Sequence, residues 1–465
     1  MVTKTFDFLH DVFELFLLFK EEPHLFFLDS SLTASTNGRY SMIGFDPFDL
    51  ATGDSLESYQ KFKDRFKSFS NYDKDSDLPF SNGAVGYLSY DLGMLLQGIP
   101  LKKERDETLP LFYFGLYDVI LVVDHLEQKL HVVSSGLPEQ SPELRKKRAA
   151  ERLKKVEDAL GRLDASGYPY KRESLKETFK TPHFQSNVTK EEYIDAVKRA
   201  LDHIHQGDIY EINLSHQITV QERGEILKLK PWEIYACLRE LSPSHFSAFF
   251  NTGTHQILST SPERFLCLKN KTAQIRPMKG TRPRGRTPEE DSVLRQELLH
   301  SSKEIAELLM VTDLERNDLG RVCEFTSIRV KEMRTIEEYK TVFQATSTVE
   351  GTLQSQKDSF DLLEACFPGG SVTGCPKISA MNIIAGIEKG RRGIYTGAFG
   401  YIDFSGDLDF NILIRTLVLN EKKISFHVGG GIVSDSDPLM EYDETWLKAK
   451  ALMECLTICP TRRAL

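Results

Sequence analysis

The stretch Thr189–Val220, TKEEYIDAVKRALDHIHQGDIYEINLSHQITV, decides the fold class. Thr189 and Glu192 form a capping box, the pattern S/T-x-x-E that satisfies the first free amides of a helix. Ile194, Val197, Leu201 and Ile204 then recur at the spacing of one helical face. Gly207 stops the helix, because glycine takes the left-handed conformation without a Cβ penalty. DIYEINLSHQITV follows as a strand. Helices and strands alternate along the rest of the chain without a regular βαβ rhythm. The reading is therefore α+β and not a doubly wound parallel sheet.

Upstream, residues 25–135 carry short apolar runs separated by turn residues: FFLDSS, GRYSMIGFDP, GAVGYLSYD, PLFYFGLYDVILVVDH and KLHVVSSG. These read as strands. A charged helix follows in SPELRKKRAAERLKKVEDALGRLDASG, with Ser141 as N-cap and Glu143 and Glu151 near basic partners. The expected organisation is a β-rich region at 1–165, a polar, proline-bearing connection at 166–188, and a second region at 189–465. The apolar start FDFLHDVFELFLLFKEEPHLFFLD is interrupted by Asp11, Glu14, Lys20 and Glu21. It falls short of the roughly 18 uncharged residues of a membrane span, and it lacks a basic leader and a cleavage site. An amphipathic helix, a buried strand and a cytoplasmic protein with no membrane partner are expected.

The chain has 465 residues, 27% of them charged, with a net charge of −9. That balance gives no general basic field for nucleic acid. The seven cysteines are scattered and form no CxxC pair, as expected of reduced thiols. Cys455 and Cys459 stand one helical turn apart, but no histidine or third cysteine adjoins them to make a zinc site.

The chemistry concentrates in the second region. In IRPMKGTRPRG, Ile275–Gly285, Lys279 is a solvated turn residue, a nucleophile or an anion clamp. STSPERF places Glu263 in a proline-led turn upstream, and the two strands of a hairpin would bring it near Lys279. A carboxylate beside a partly buried amine is an acid/base or nucleophile pair, or else a surface salt bridge. Thr287, Pro288 and Glu290 cap one helix, and Ser301 with Glu304 caps the next, on which Glu304 and Glu307 share a face. In SDPLMEYDETWLKAKAL, Asp437 and Pro438 start a helix, Glu441 and Glu444 share a face, and Lys448 follows at i+4. Two glutamate pairs on two helices are oxygen ligands for one hard cation such as Mg²⁺, or two solvated faces. FPGGSVTGCPK and HVGGGIVSDSDP are glycine-rich loops without a P-loop signature, with amides open to a carboxylate.

Taken together, GDIYEINLS, SPERF, PMKGTRPRG, KEIAELLMVTDLERNDLGRV, TSTVEG, GGSVTGCPKISAMNII, RRGIYTGAFGYI, ILIRT, GGGIVSDSDP and EYDET resemble the chorismate-utilising enzymes. That family comprises anthranilate synthase component I, aminodeoxychorismate synthase component I, isochorismate synthase and salicylate synthase. The motifs stand in family order across roughly residues 190–455, and the first region resembles the family's amino-terminal part. The resemblance implies an anthranilate synthase component I-like fold, two stacked, largely antiparallel β-sheets with helices packed outside. It implies a Mg²⁺ site at Glu307, Glu441 and Glu444, with Glu304 assisting. Tyr395 and Arg415 become substrate ligands, Arg415 by bidentate carboxylate binding, and Ser371 and Thr373 line the ring site. Amides of Gly429, Gly430 and Gly431, with Lys448, are expected to hold the ring carboxylate beside the metal.

Within the family, anthranilate synthases carry alanine where this chain has Lys279, and aminodeoxychorismate synthases carry lysine. The resemblance implies that the amine adds at C2 of chorismate as the 4-hydroxyl leaves, aided by Mg²⁺ and with Glu263 protonating the leaving group. Ammonia then adds at C4 and expels the lysine, giving 4-amino-4-deoxychorismate for 4-aminobenzoate and folate. The amine must be uncharged, and Arg276, Arg282 and Arg284 are expected to lower its pKa. Glu211 replaces the family's usual glutamine, where isochorismate and salicylate synthases use lysine to activate water. Gln344 stands where anthranilate synthases show histidine. Both departures favour the aminodeoxychorismate branch, with anthranilate synthase component I as the alternative. A non-catalytic small-molecule sensor would need the acid or the metal ligands to be missing. No nucleophilic cysteine with a following histidine and glutamate is seen, so a separate glutamine amidotransferase subunit is the implied ammonia source. LDSS resembles the region where anthranilate synthases sense tryptophan, with Asp29 in place of glutamate.

Overall fold

A computed structural model describes residues 1–32, 38–70, 78–102, 109–166, 177–178, 182–220, 229–339, 342–421 and 423–459. Lys190–Gln206 is helical, with both bonds of the Thr189/Glu192 capping box made and Gly207 at φ 83° closing the helix. Glu211–Val220 follows as a strand. It pairs along nine positions with Ile424–Ile432, while its other edge takes Phe184–Ser186 at one end and Gly374–Cys375 at the other.

This strand lies in a twelve-stranded sheet, and a second sheet has ten strands. The strand pairs of both are antiparallel. Residues before and after the expected connection build both sheets jointly. In the larger, Phe26–Asp29 pairs with Phe246–Asn251. In the smaller, Gly83–Leu88 pairs with Ala398–Asp403. Most of the connection, residues 167–176 and 179–181, lies outside the described residues.

The sheets stack face to face. Phe26, Ile120, Phe250 and Ile257 of the larger pack against Val85, Tyr87, Phe399 and Tyr401 of the smaller. Helices cover the outer faces. Phe16 of Val12–Phe19, Val156 of Pro142–Ser166 and Tyr235 of Pro231–Leu241 lie on the larger sheet. Phe62 of Leu56–Lys67 and Leu362 of Ser359–Cys366 lie on the smaller. Strands buried on both faces explain the unbroken apolar runs of the sequence; Val119–Asp124 is buried throughout.

Three local readings change. Val2–Asp7, not anticipated, is a largely exposed strand on Lys129–Ser134. The helix expected to be amphipathic buries six of its eight residues, because the Pro142–Ser166 helix packs over it. His427–Gly431, expected as part of a loop, lies inside the Ile424–Ile432 strand. Its glycines answer close approach: a Cβ on Gly429 would stand 2.3 Å from the Leu214 carbonyl. Among the described residues no helix is long and apolar enough to cross a membrane.

Candidate active site

Met278–Pro283 ends the strand order of the smaller sheet and pairs with Val342–Thr352. The register shifts between Lys279 and Thr281, and Gly280 sits there at φ 84°. This is a bulge, which re-aims a side chain at a sheet edge. The positive φ favours glycine, and a Cβ at 280 would also push on the Glu304 carboxylate, 2.6 Å away at Oε2. The Lys-Gly pair of the motif is thus a local instruction about where the lysine points.

Lys279 Nζ donates to Glu211 Oε1, with 11% of the lysine and 3% of the glutamate side chain exposed. Glu211 Oε2 has no hydrogen-bond partner among the described residues. The pair joins the edge of the smaller sheet to the Glu211–Val220/Ile424–Ile432 ladder of the larger. Gly431 leaves room for it: a Cβ there would stand 2.7 Å from Glu211 Oε1 and 3.1 Å from Lys279 Nζ.

The expectation that neighbouring arginines depress the lysine is overturned. Burial does act to lower the Lys279 pKa, but Glu211 outweighs it, with Glu307 and Glu263 adding, and the net shift is upward. The arginines are neutralised elsewhere. Arg276 pairs with Glu337, Arg282 with Glu304 at 3.0 Å, and Arg284 with Asp291 at 2.6 Å.

Glu263, between the strands His255–Ser261 and Arg264–Lys269, is buried. Burial raises its pKa to about 7, against the Ser371 hydroxyl, the Lys279 charge and the Met278 amide, which all favour the anion. Ser371 Oγ donates to Glu263 Oε1 at 2.6 Å. A carboxyl titrating near neutrality suits proton transfer. Ser371 occupies a short 3₁₀ turn, Gly370–Val372. Thr373 is turned into the same loop, its hydroxyl donating to the Gly369 carbonyl at 3.0 Å. Below the turn, Glu315 Oε1 accepts from the Gly370 amide at 2.9 Å, and Lys377 bonds Asp318 and the Cys366 carbonyl. Sequence reasoning missed this support.

The two glutamate helices are Ser302–Gly320 and Pro438–Glu454. Glu307 is half-buried; burial lifts its pKa to about 7, Lys279 opposes, and Glu211 and Glu304 reinforce. Glu304, one turn earlier, is held by Arg282. Burial also raises Glu441, whose Oε1 accepts from Ser436 Oγ at 2.7 Å. Desolvation would raise Glu444 too, but Lys448 at 2.8 Å outweighs it and holds the group low. Lys448 Nζ also donates to the Gly429 carbonyl at 3.0 Å. Gly430 presents a bare backbone toward them: a Cβ there would lie 3.5 Å from Glu441 Oε2 and 3.8 Å from Glu444 Oε1.

The donor set fits Mg²⁺ in chemical type. These are hard carboxylate oxygens, and burial presses Glu307 and Glu441 toward neutrality, a penalty that a divalent cation would offset. No three such side chains converge at metal-holding spacing among the described residues.

Tyr395 is buried and stacks on His427, with ring centres 5.2 Å apart and planes at 14°. Burial lowers the Arg415 pKa, opposed by Tyr339 alone, and no carboxylate pairs with Arg415 among the described residues. Thr396, beside Tyr395, and Arg415 itself stand at φ 58° and 50°. Non-glycine residues there are strained, and such strain clusters at ligand sites. Gln344 is buried with its Oε1 unpartnered among the described residues. A separate cavity of about 400 Å³, lined by Tyr193, Ser215, His216 and Glu388, shares His427 with this site.

Residues 28–454 match the chorismate binding enzyme family, and the chain belongs to it. It is 35% identical over 445 residues to aminodeoxychorismate synthase component 1 of Bacillus subtilis, spanning 92% of this chain and 91% of that protein. It is 36% identical over 452 residues to anthranilate synthase component 1 of Thermus thermophilus, spanning 95% and 94%. The crystal structure of anthranilate synthase component I from Streptococcus pneumoniae aligns with a TM-score of 0.76 at 30% identity, covering 90% of this chain and 93% of that one. The stacked antiparallel fold expected from the motifs is the fold found. Likeness to the two kinds of synthase is nearly equal, so overall identity does not separate their reactions.

Proposed function

We propose that the protein is an aminating synthase that converts chorismate and ammonia to 4-amino-4-deoxychorismate, the ammonia coming from a glutamine amidotransferase subunit. The observation that carries this reading is the amine of Lys279, largely buried and facing Glu211, where an alanine would leave no nucleophile. Lys279 attacks C2 of the ring. Glu263, with its pKa raised to about 7, protonates the departing 4-hydroxyl. Ser371 orients that acid. Arg415 binds a substrate carboxylate with its guanidinium fork, beside Tyr395. Backbone of Gly429–Gly431, with Lys448, holds the ring carboxylate. Glu307, Glu441 and Glu444, with Glu304 close by, would hold Mg²⁺, which would supply positive charge to that carboxylate.

Likeness to anthranilate synthase component 1 makes pyruvate loss the second reading. Incubation with chorismate, MgCl₂ and an ammonium salt separates the two. 4-Aminobenzoate appearing only after a 4-amino-4-deoxychorismate lyase is added is the expected result. Anthranilate fluorescence without a lyase overturns the proposal, and chorismate left unconsumed favours a sensor.

A further inference from the structure

We infer that Glu211 is the base that takes a proton from Lys279 before bond formation and returns it afterwards. The inference rests on the covalent role proposed for Lys279. Four carboxylates from four elements act on the amine: Glu211 at the start of Glu211–Val220, Glu263 between its two strands, Glu307 on Ser302–Gly320, and Glu444 on Pro438–Glu454. Among the described residues, Glu211 alone makes a hydrogen-bonded contact with Lys279 Nζ.

The other three have different engagements. Glu263 receives the Ser371 hydroxyl and is needed protonated for the leaving group. Glu444 is held by Lys448. Glu307 acts on Lys279 through its charge, with no direct bond. Glu211 has a second oxygen that is buried and unpartnered among the described residues. A buried carboxylate with one oxygen on an ammonium and the other open is an incomplete structural pair. It is a suitable acceptor for one proton.

The cycle balances. The ammonium of Lys279 gives one proton to Glu211. The neutral amine forms a bond to C2, the ring double bonds shift, and the C4–O bond breaks. The hydroxyl leaves as water with the proton of Glu263. Ammonia then bonds to C4, the C2–N bond breaks, and Lys279 departs as a neutral amine. The new ammonium returns a proton to Glu263, and Glu211 returns its proton to Lys279. The sum is chorismate plus ammonia giving 4-amino-4-deoxychorismate plus water.

Glu211→Gln keeps the shape of the side chain and removes the base. In the ammonium-dependent assay it should lose about 100-fold or more in turnover, while the KM for chorismate stays within about threefold. In the free enzyme, reductive methylation with formaldehyde and a borane, read at Lys279 by peptide mass spectrometry, should begin at lower pH than in the wild type. The ammonium will have lost the anion that stabilised it. Glu211→Asp, which keeps a carboxylate one methylene shorter, should recover part of the turnover and serves if the glutamine variant folds poorly. Wild-type turnover by Glu211→Gln, an unchanged methylation profile, or a Glu211→Asp variant no faster than Glu211→Gln overturns the inference. Anthranilate released by the wild type would instead overturn the reaction assignment, and the methylation comparison would still judge the pair.

Discussion

Asp29 and Glu211 are both buried carboxylates that meet a cation from another element, and they are satisfied to very different degrees. Asp29 Oδ2 accepts from Arg239 Nε at 2.7 Å and from the Tyr235 hydroxyl at 3.0 Å, while Oδ1 accepts from Arg239 Nη2 at 3.3 Å. Both oxygens are occupied, and the guanidinium lies over the Phe13 ring, 5.3 Å from its centre. The neighbouring hydroxyls of Ser30 and Ser31 are bonded to main-chain carbonyls. Among the described residues the Glu211 side chain has one hydrogen-bonded partner, an amine, and one unpartnered oxygen. A planar guanidinium that never deprotonates makes a fixed joint. An amine that can lose its proton, beside a half-satisfied carboxylate, makes a reactive one.

The comparison breaks most visibly if the two cations are exchanged in importance. Lys279→Met should cost on the order of 1,000-fold or more in turnover, measured on the folded fraction. Arg239→Ala should act on stability and spare turnover. Stranding a buried carboxylate costs about 3–5 kcal/mol, read by urea unfolding, while the folded fraction keeps turnover within a few-fold. An Arg239→Ala variant that is stable but inactive would erase the distinction.

Glu263 comes next in size. Glu263→Gln should lose about 100- to 10,000-fold, the range for a removed general acid. In the wild type the working form is the protonated one. Since burial lifts its pKa to about 7, kcat/KM should be level below that pH and fall about tenfold per unit above it. A profile that rises through pH 7 would assign Glu263 as the base instead.

Much of this was legible in the sequence, for identifiable reasons. Capping boxes, glycine stops and apolar runs are local, so Lys190–Gln206 and the strand after it follow from a few residues. The two glutamate helices also begin at their own caps, Ser301 and Asp437. What stayed hidden was pairing between elements. Glu211 was visible as a departure from the usual glutamine, but 68 positions separate it from Lys279, and only the stacking of the sheets joins them. The charges beside Lys279 misled because sequence shows neighbours and not their partners: each arginine turns to its own carboxylate. The strand holding Gly429–Gly431 read as a loop because glycine signals a turn and a crowded sheet alike.

The smallest predicted effect tests the finest distinction, between a residue that reacts and one that tunes. The Ser371 hydroxyl donates to Glu263 Oε1 and favours its anion, opposing the burial that raises its pKa. Removing it as Ser371→Ala leaves burial less opposed, so the alkaline limb of kcat/KM should move to higher pH. The plateau at lower pH should fall only a few-fold, because the protonated acid loses one hydrogen bond worth about 1 kcal/mol. Ser371→Thr, which keeps the hydroxyl, should return the limb toward its wild-type position. A limb that moves to lower pH would mean that Ser371 stabilises the protonated carboxyl, with the hydroxyl accepting from the acid. A plateau loss as large as that of Glu263→Gln would place Ser371 on the substrate itself.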